Sequence, residues 1–214
     1  MSGSSLRHGA ALLAAFWLAG VLAGCAPDDS ADPAPASDAR AAAQRWFPPC
    51  PRPATGTASP SSTGAVTARA PAPARSAMPS VSLECLGESG GRVDLAAALG
   101  SPVVVNIWAS WCKPCREELP HFQRYAEAAD DVLVLGVVSN DTYPASLSLA
   151  KELHLRFPTL YDSEGALIKT LGRTALPVTL FIDASGRLAH VYNGQPLTEA
   201  ALAALAEKHL GVRR

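Results

Sequence analysis

Short apolar runs alternate with helix-forming stretches over residues 80–214, which predicts an α/β fold: a mixed sheet with helices on both faces. Three observations carry this. Residues 103–108 are β-branched and aromatic apart from Asn106, and residues 132–138 are apolar throughout, as central strands require. Residues 178–182 and 188–192 flank Asp183-Ala184-Ser185-Gly186, a hairpin that adds antiparallel pairing. A final helical stretch, residues 198–210, ends at Gly211.

Taken in order, the chain of 214 residues exceeds what one ordinary domain needs, and its N-terminus accounts for the surplus. Arg7 and His8 precede an apolar run over residues 10–22. At about a dozen residues it is short of the roughly 20 that span a bilayer and matches a signal-peptide core. Residues 1–24 are therefore expected to be a signal peptide. Residues 25–79, rich in Ala, Pro, Ser, Thr and Gly, hold too few large apolar side chains for a core and read as a tether. Within it residues 39–47 suit a short helix stopped by Pro48, and Trp46 and Phe47 either dock on the domain or face solvent.

The domain then occupies residues 80–214. Residues 81–86 read as an edge strand, and residues 94–99 as a short helix capped by Asp94 and closed by Gly100. The central strand at residues 102–109 leads into a helix running to about Ala129. After the second central strand come a helix over residues 144–153, a short strand at 157–161 and a helix at 163–171 closed by Gly172.

Trp111-Cys112-Lys113-Pro114-Cys115 sits where the first central strand gives way to its helix. Cys112 falls at the helix N-terminus, where unpaired N–H groups and the positive end of the dipole stabilise a thiolate. Lys113 adds a cation, and Pro114 suits a first turn. Cys115, one turn on, is placed to close a disulfide. Zinc would need a second Cys or His pair, whereas His121 stands alone, so no metal is expected. No organic cofactor is expected either. A net charge of −1 gives no electrostatic case for nucleic acid.

Leu22-Ala23-Gly24-Cys25 looks like a bacterial lipobox, which implies cleavage before Cys25 and a lipid on its sulfur; an ordinary signal peptide is the alternative. Four cysteines remain, an even number that suits an oxidising compartment. With Cys112 and Cys115 paired by spacing, Cys50 and Cys85 are left as a second disulfide or as two separate thiols. Asp141 and Asp162 read as turn residues, and Lys151, Glu152 and Arg156 as a solvated helix face. His121, His154, His190 and His209 are scattered and read as surface or satisfied residues.

Residues 104–120, with Trp-Cys-Lys-Pro-Cys, and residues 176–183, Leu-Pro-Val-Thr-Leu-Phe-Ile-Asp, resemble thioredoxin. More narrowly the chain is similar to the TlpA/ResA group of membrane-tethered, extracytoplasmic thiol–disulfide oxidoreductases. The extra helix and strand between Val138 and Ser163 look like that group's central insertion. The resemblance implies that Cys112 attacks, Cys115 resolves and Pro177 is a cis-proline beside the disulfide. It leaves the Leu176 backbone free to pair with a substrate peptide, and Trp111, Lys113 and Pro114 beside it. Pro120 would kink the helix. Asn106 stands where thioredoxin has a buried Asp, so Glu118, one turn after Cys115, is expected to take the proton of Cys115; a solvated Glu is the alternative.

The group implies partners of three kinds: exported protein disulfides, apocytochrome c among them, a membrane electron-donor thiol protein, and the membrane itself through the lipid. Reductase is the first expectation. A disulfide-forming oxidase stays open, because Lys113 favours a thiolate. So does a redox-inert lipoprotein that uses the fold for binding. A peroxidase is disfavoured, since Ala109 stands three residues before Cys112 where that class carries Thr.

Overall fold

The computed structural model describes residues 36–53, 76–88, 91–97 and 99–212. The apolar N-terminal run and Cys25 lie outside the described residues. The elements begin with α1 (Ala36–Trp46), β1 (Ser76–Ala77), β2 (Ser82–Cys85) and β3 (Arg92–Asp94). Next come β4 (Val103–Trp108), α2 (Lys113–Ala128), β5 (Leu133–Ser139), α3 (Tyr143–Glu152), β6 (Thr159–Asp162) and α4 (Ala166–Thr170). Last are β7 (Val178–Ile182), β8 (Arg187–Tyr192) and α5 (Glu199–Leu210).

All eight strands form one mixed sheet in the order β1-β8-β7-β4-β5-β6-β2-β3. β4, β5 and β6 run parallel, and the other neighbours pair antiparallel. β4 is buried at every position, which is why its sequence is apolar on both faces apart from Asn106. On one face Val104, Trp108, Val134, Val138 and Phe181 pack against residues of α1, α2, α3 and α5. On the other, Val103, Val105, Ile107, Leu135, Leu180 and Ile182 pack with Leu167 of α4 and with Leu83, Cys50 and Cys85. The period of two along β4 thus divides the core into two layers.

Three local expectations are corrected. Residues 94–97 form no helix: the Asp94 carboxylate accepts the N–H of Ala96 at 2.9 Å, closing a turn, while Arg92 and Val93 are drawn into pairing with β2. Because β3 takes the outermost place, β2 lies one strand in from the edge. Helix α4 is only Ala166–Thr170, since Asp162 accepts the N–H groups of Ala166 and Leu167 and Gly165 turns left-handed at φ 63°.

The short helix expected at residues 39–47 forms as α1, Ala36–Trp46, and docks. Phe47 is buried, and Trp46 donates its indole N–H to the carbonyl of Leu155 at 2.9 Å. The Arg156 guanidinium stacks 3.5 Å above that indole, so this part of the expected solvated face is occupied. Cys50 and Cys85 are joined by a disulfide of 2.01 Å, with Cα atoms 5.9 Å apart. Ser76 and Ala77 add a short strand to β8. No helix among the described residues is long and apolar enough to cross a membrane.

Candidate active site

The end of β4 delivers the chain into a tight turn, in which the N–H of Cys112 donates to the carbonyl of Ala109 at 3.2 Å. Helix α2 starts at the next residue with Cys112 as its N-cap, and the Cys112 sulfur accepts the N–H of Cys115 at 3.2 Å. Pro114 lies in the first turn, where a missing N–H leaves no bond unmade. The two sulfurs are bonded at 2.00 Å, Cα to Cα 5.3 Å. Both cysteines are buried, yet Trp111, Lys113 and Pro114 around them are exposed. Trp111 is 63% exposed, although most large apolar side chains are covered.

Beneath the disulfide, Glu118 is buried at 1% exposure. It lies one turn after Cys115, on the helix face turned to the sheet. Its two oxygens accept hydrogen bonds from the Asn106 side-chain amide at 2.6 Å and from the Leu197 N–H at 3.0 Å. Burial raises its pKa from 4.5 to about 7, against the lowering effect of those two bonds. The carboxyl therefore titrates near neutrality. The Asn106 carbonyl oxygen is buried with no partner among the described residues. Turning that amide over would offer the oxygen to a protonated Glu118, so the pair can hold either charge state.

The Leu176–Pro177 bond is cis. Since Val178 of β7 pairs with Ile107 of β4, Pro177 lies level with the end of β4 that leads to Cys112. Leu176 is half-buried there. Pro120 falls inside α2. The sheet register and helix α2 thus bring Cys112, Cys115, Glu118, Asn106 and Pro177 to one end of the sheet, whereas the Cys50–Cys85 disulfide joins the segment after α1 to β2.

Three residues at this end carry no signal in the sequence beyond turn composition. Asn193 donates its side-chain amide to the Pro177 carbonyl at 2.6 Å, a contact that only the β7–β8 hairpin creates. Asn140, at a left-handed φ of 51°, accepts the Trp111 indole N–H on its carbonyl at 3.0 Å. Asp141 accepts the Ser110 N–H at 2.6 Å. His190 and His209 also depart from the scattered pattern. Their rings stack 4.0 Å apart and each also packs at 5.9 Å from the Phe181 ring.

Residues 73–206 match the model of the Redoxin family. The thiol-disulfide oxidoreductase ResA of Bacillus thuringiensis subsp. konkukian is 31% identical over 114 residues, covering 51% of this chain and 65% of the relative. The thiol:disulfide interchange protein DsbE of Pseudomonas aeruginosa is 32% identical over 113 residues, covering 52% of this chain and 62% of the relative. The chain thus spans a little less than two thirds of the length of these curated relatives. Among solved structures, a thioredoxin family thiol:disulfide interchange protein from Chlorobium tepidum TLS is 26% identical with a TM-score of 0.54, covering 65% of this chain and 99% of its own. A DsbF homologue from Corynebacterium diphtheriae is 25% identical with a TM-score of 0.54, covering 63% of this chain and 87% of its own.

Proposed function

The chain belongs to the Redoxin family and has a thioredoxin-like fold, and from that premise we propose that it is a TlpA/ResA-type thiol–disulfide oxidoreductase that reduces disulfides of exported proteins. The observation that carries this is the Cys112–Cys115 disulfide at the start of α2 with a buried carboxyl one turn below it. The disulfide is the oxidised end of the cycle, and a dithiol donor supplies the two electrons that open it.

From the dithiol form, the Cys112 thiolate attacks a substrate disulfide. One substrate sulfur leaves as a thiolate and takes a proton, and a mixed disulfide joins Cys112 to the other. Glu118 then accepts the proton of Cys115, and the new thiolate attacks the Cys112 sulfur. The Cys112–Cys115 bond forms, the second substrate thiolate departs, and the substrate has gained two electrons. A pKa of about 7 suits this role, because the carboxyl is partly ionised at the working pH and can pass its proton on. Trp111, Lys113 and Pro114 form the exposed surface that a substrate peptide meets, and the backbone of Leu176 pairs with it.

We place the enzyme outside the cytoplasm on a lipid carried by Cys25, with apocytochrome c as one candidate substrate. The lipobox-like run and the stapling disulfide support that location. The test is insulin reduction with a dithiol donor. Turnover is expected from the wild-type chain and none from Cys112→Ser; a wild type that fails to turn over would be an inert binding module. Acid quench and alkylation in cells then sets the direction. Free thiols at Cys112 and Cys115 support the reductase, and an oxidised pair supports a disulfide-forming oxidase.

A further inference from the structure

We propose that Asp141 is a positioning residue for the Cys112–Cys115 reaction, holding the turn that presents Cys112 and, by its charge, keeping the pair reducing. The inference rests on the thiol–disulfide reading above. Asp141 follows β5, the strand beside β4, so its place at the site comes from parallel pairing and not from the Cys-Lys-Pro-Cys helix. One carboxylate oxygen accepts the Ser110 N–H at 2.6 Å and the other accepts the Thr142 N–H at 2.8 Å. Its backbone carbonyl accepts the Tyr161 hydroxyl at 2.8 Å. The carbonyl of the preceding residue, Asn140, accepts the Trp111 indole at 3.0 Å.

Two successive residues of the turn before Cys112 are therefore tied to two successive residues of the β5–α3 corner. The corner is itself braced. The N–H of Asn140 donates to the Asp162 carbonyl at 3.1 Å, and a Cβ on Gly165 would lie 2.3 Å from the Asn140 amide nitrogen. The tilted rings of Tyr161 and Tyr143 pack 4.1 Å apart, so the helix and strand of the central insertion both support it.

The second consequence is electrostatic. Ser110 is two residues from Cys112, which puts the carboxylate on the order of 8 Å from the attacking sulfur. A negative charge there opposes a thiolate at Cys112, against Lys113 and the helix N-terminus, which favour it. A thiolate held at higher energy makes the dithiol form less stable and the pair a better electron donor. Between the protein-surface and bulk-water limits of Coulomb's law, the effect is about fivefold in an equilibrium constant.

Full-length Asp141→Asn keeps one side-chain oxygen for Ser110 and removes the charge; Asp141→Ala removes both. Each is equilibrated with glutathione buffers, and the Cys112–Cys115 peptide is counted after alkylation. Both variants are expected to be reduced more easily, by about fivefold in the equilibrium constant. The pH midpoint of Cys112 alkylation is expected to fall in both. Asp141→Ala should in addition lose about tenfold in insulin turnover, as the turn is no longer held. These readouts follow the chemical state of the thiols, so a stability loss alone leaves them unmoved, and Asp141→Asn decides if Asp141→Ala does not fold. Wild-type equilibrium constant and wild-type alkylation midpoint in Asp141→Asn would reduce Asp141 to a turn cap. A wild-type chain that exchanges no electrons with glutathione would instead sink the oxidoreductase reading itself.

Discussion

Glu118, the proton acceptor of the proposed mechanism, also makes the stability of the fold depend on pH. Its folded pKa of about 7 lies above its ordinary 4.5, so the native state holds a proton that the unfolded chain has released over that interval. The neutral buried form contributes stability fully below pH 4.5, and this is lost as pH rises to about 7. The shift corresponds to about 3 kcal/mol. Glu118→Gln, neutral at every pH, is expected to be more stable than wild type above pH 7 and to lack that slope, as measured by urea unfolding across pH. The same variant should reduce insulin at least about a hundredfold more slowly and lose the rise in rate near neutral pH, because Cys115 has no carboxylate to take its proton. Asn193 acts at the same scale without touching a thiol. Asn193→Ala removes the amide that holds the Pro177 carbonyl and should raise the KM for insulin several-fold while the Cys112–Cys115 equilibrium constant with glutathione stays at wild type.

At the scale of elements, two devices fasten α1 and the segment after it to the domain, besides the contacts of Trp46 with Leu155 and Arg156. One is the Cys50–Cys85 disulfide, which closes a separation of 35 residues. Cys50→Ser/Cys85→Ser is expected to lose roughly 3–4 kcal/mol in the chain-entropy account, with the Cys112–Cys115 reaction retained. The other is close packing. A Cβ on Gly87 would lie 1.8 Å from the Pro48 carbonyl oxygen, so the two backbones cannot keep their approach with any larger residue. Gly87→Ala should push the segment after α1 off the sheet and lower Tm by several degrees. It should also expose Trp46, seen as a red shift of indole fluorescence. If the midpoint and the spectrum stay at wild type, the docking of α1 contributes nothing to stability.

For the whole molecule, titrations of opposite sign meet in the range where the enzyme would work. Burial lowers the pKa of both His190 and His209, each further lowered by Lys208, and for His209 by His190 as well. A His with a depressed folded pKa contributes stability above the unfolded value near 6.5, and that contribution is lost as pH falls below it. Glu118 runs the other way over pH 4.5 to 7. The two histidines therefore offset part of the Glu118 slope of the wild type below about pH 6.5. Glu118→Gln should uncover a loss on acidification below about pH 6.5, and His190→Gln/His209→Gln in that background should abolish it. Thermal unfolding from pH 5 to 8 reads both.

Much of this was legible in the order of residues. β4, β5 and β7 are marked by apolar runs because strands buried on both faces admit little else, and half-buried β8 is marked by the turn that joins it to β7. The thiol pair is marked by a spacing that puts two sulfurs on one helical turn. The cis state of Pro177 came only from likeness to a family, since an X-Pro bond is usually trans. The turn at residues 94–97 and the shortness of α4 were not legible, because Asp94 and Asp162 each cap N–H groups in ways that composition leaves open. By itself the sequence determined the fold class, the reactive pair and its place at a helix start, since these depend on local periodicity and spacing. Only the tertiary structure decided that Glu118 lies buried against Asn106, that Asp141 and Asn193 reach the site, and that His190 meets His209. Each of those contacts joins residues on different elements, and sheet register, which no local pattern encodes, sets which of them meet.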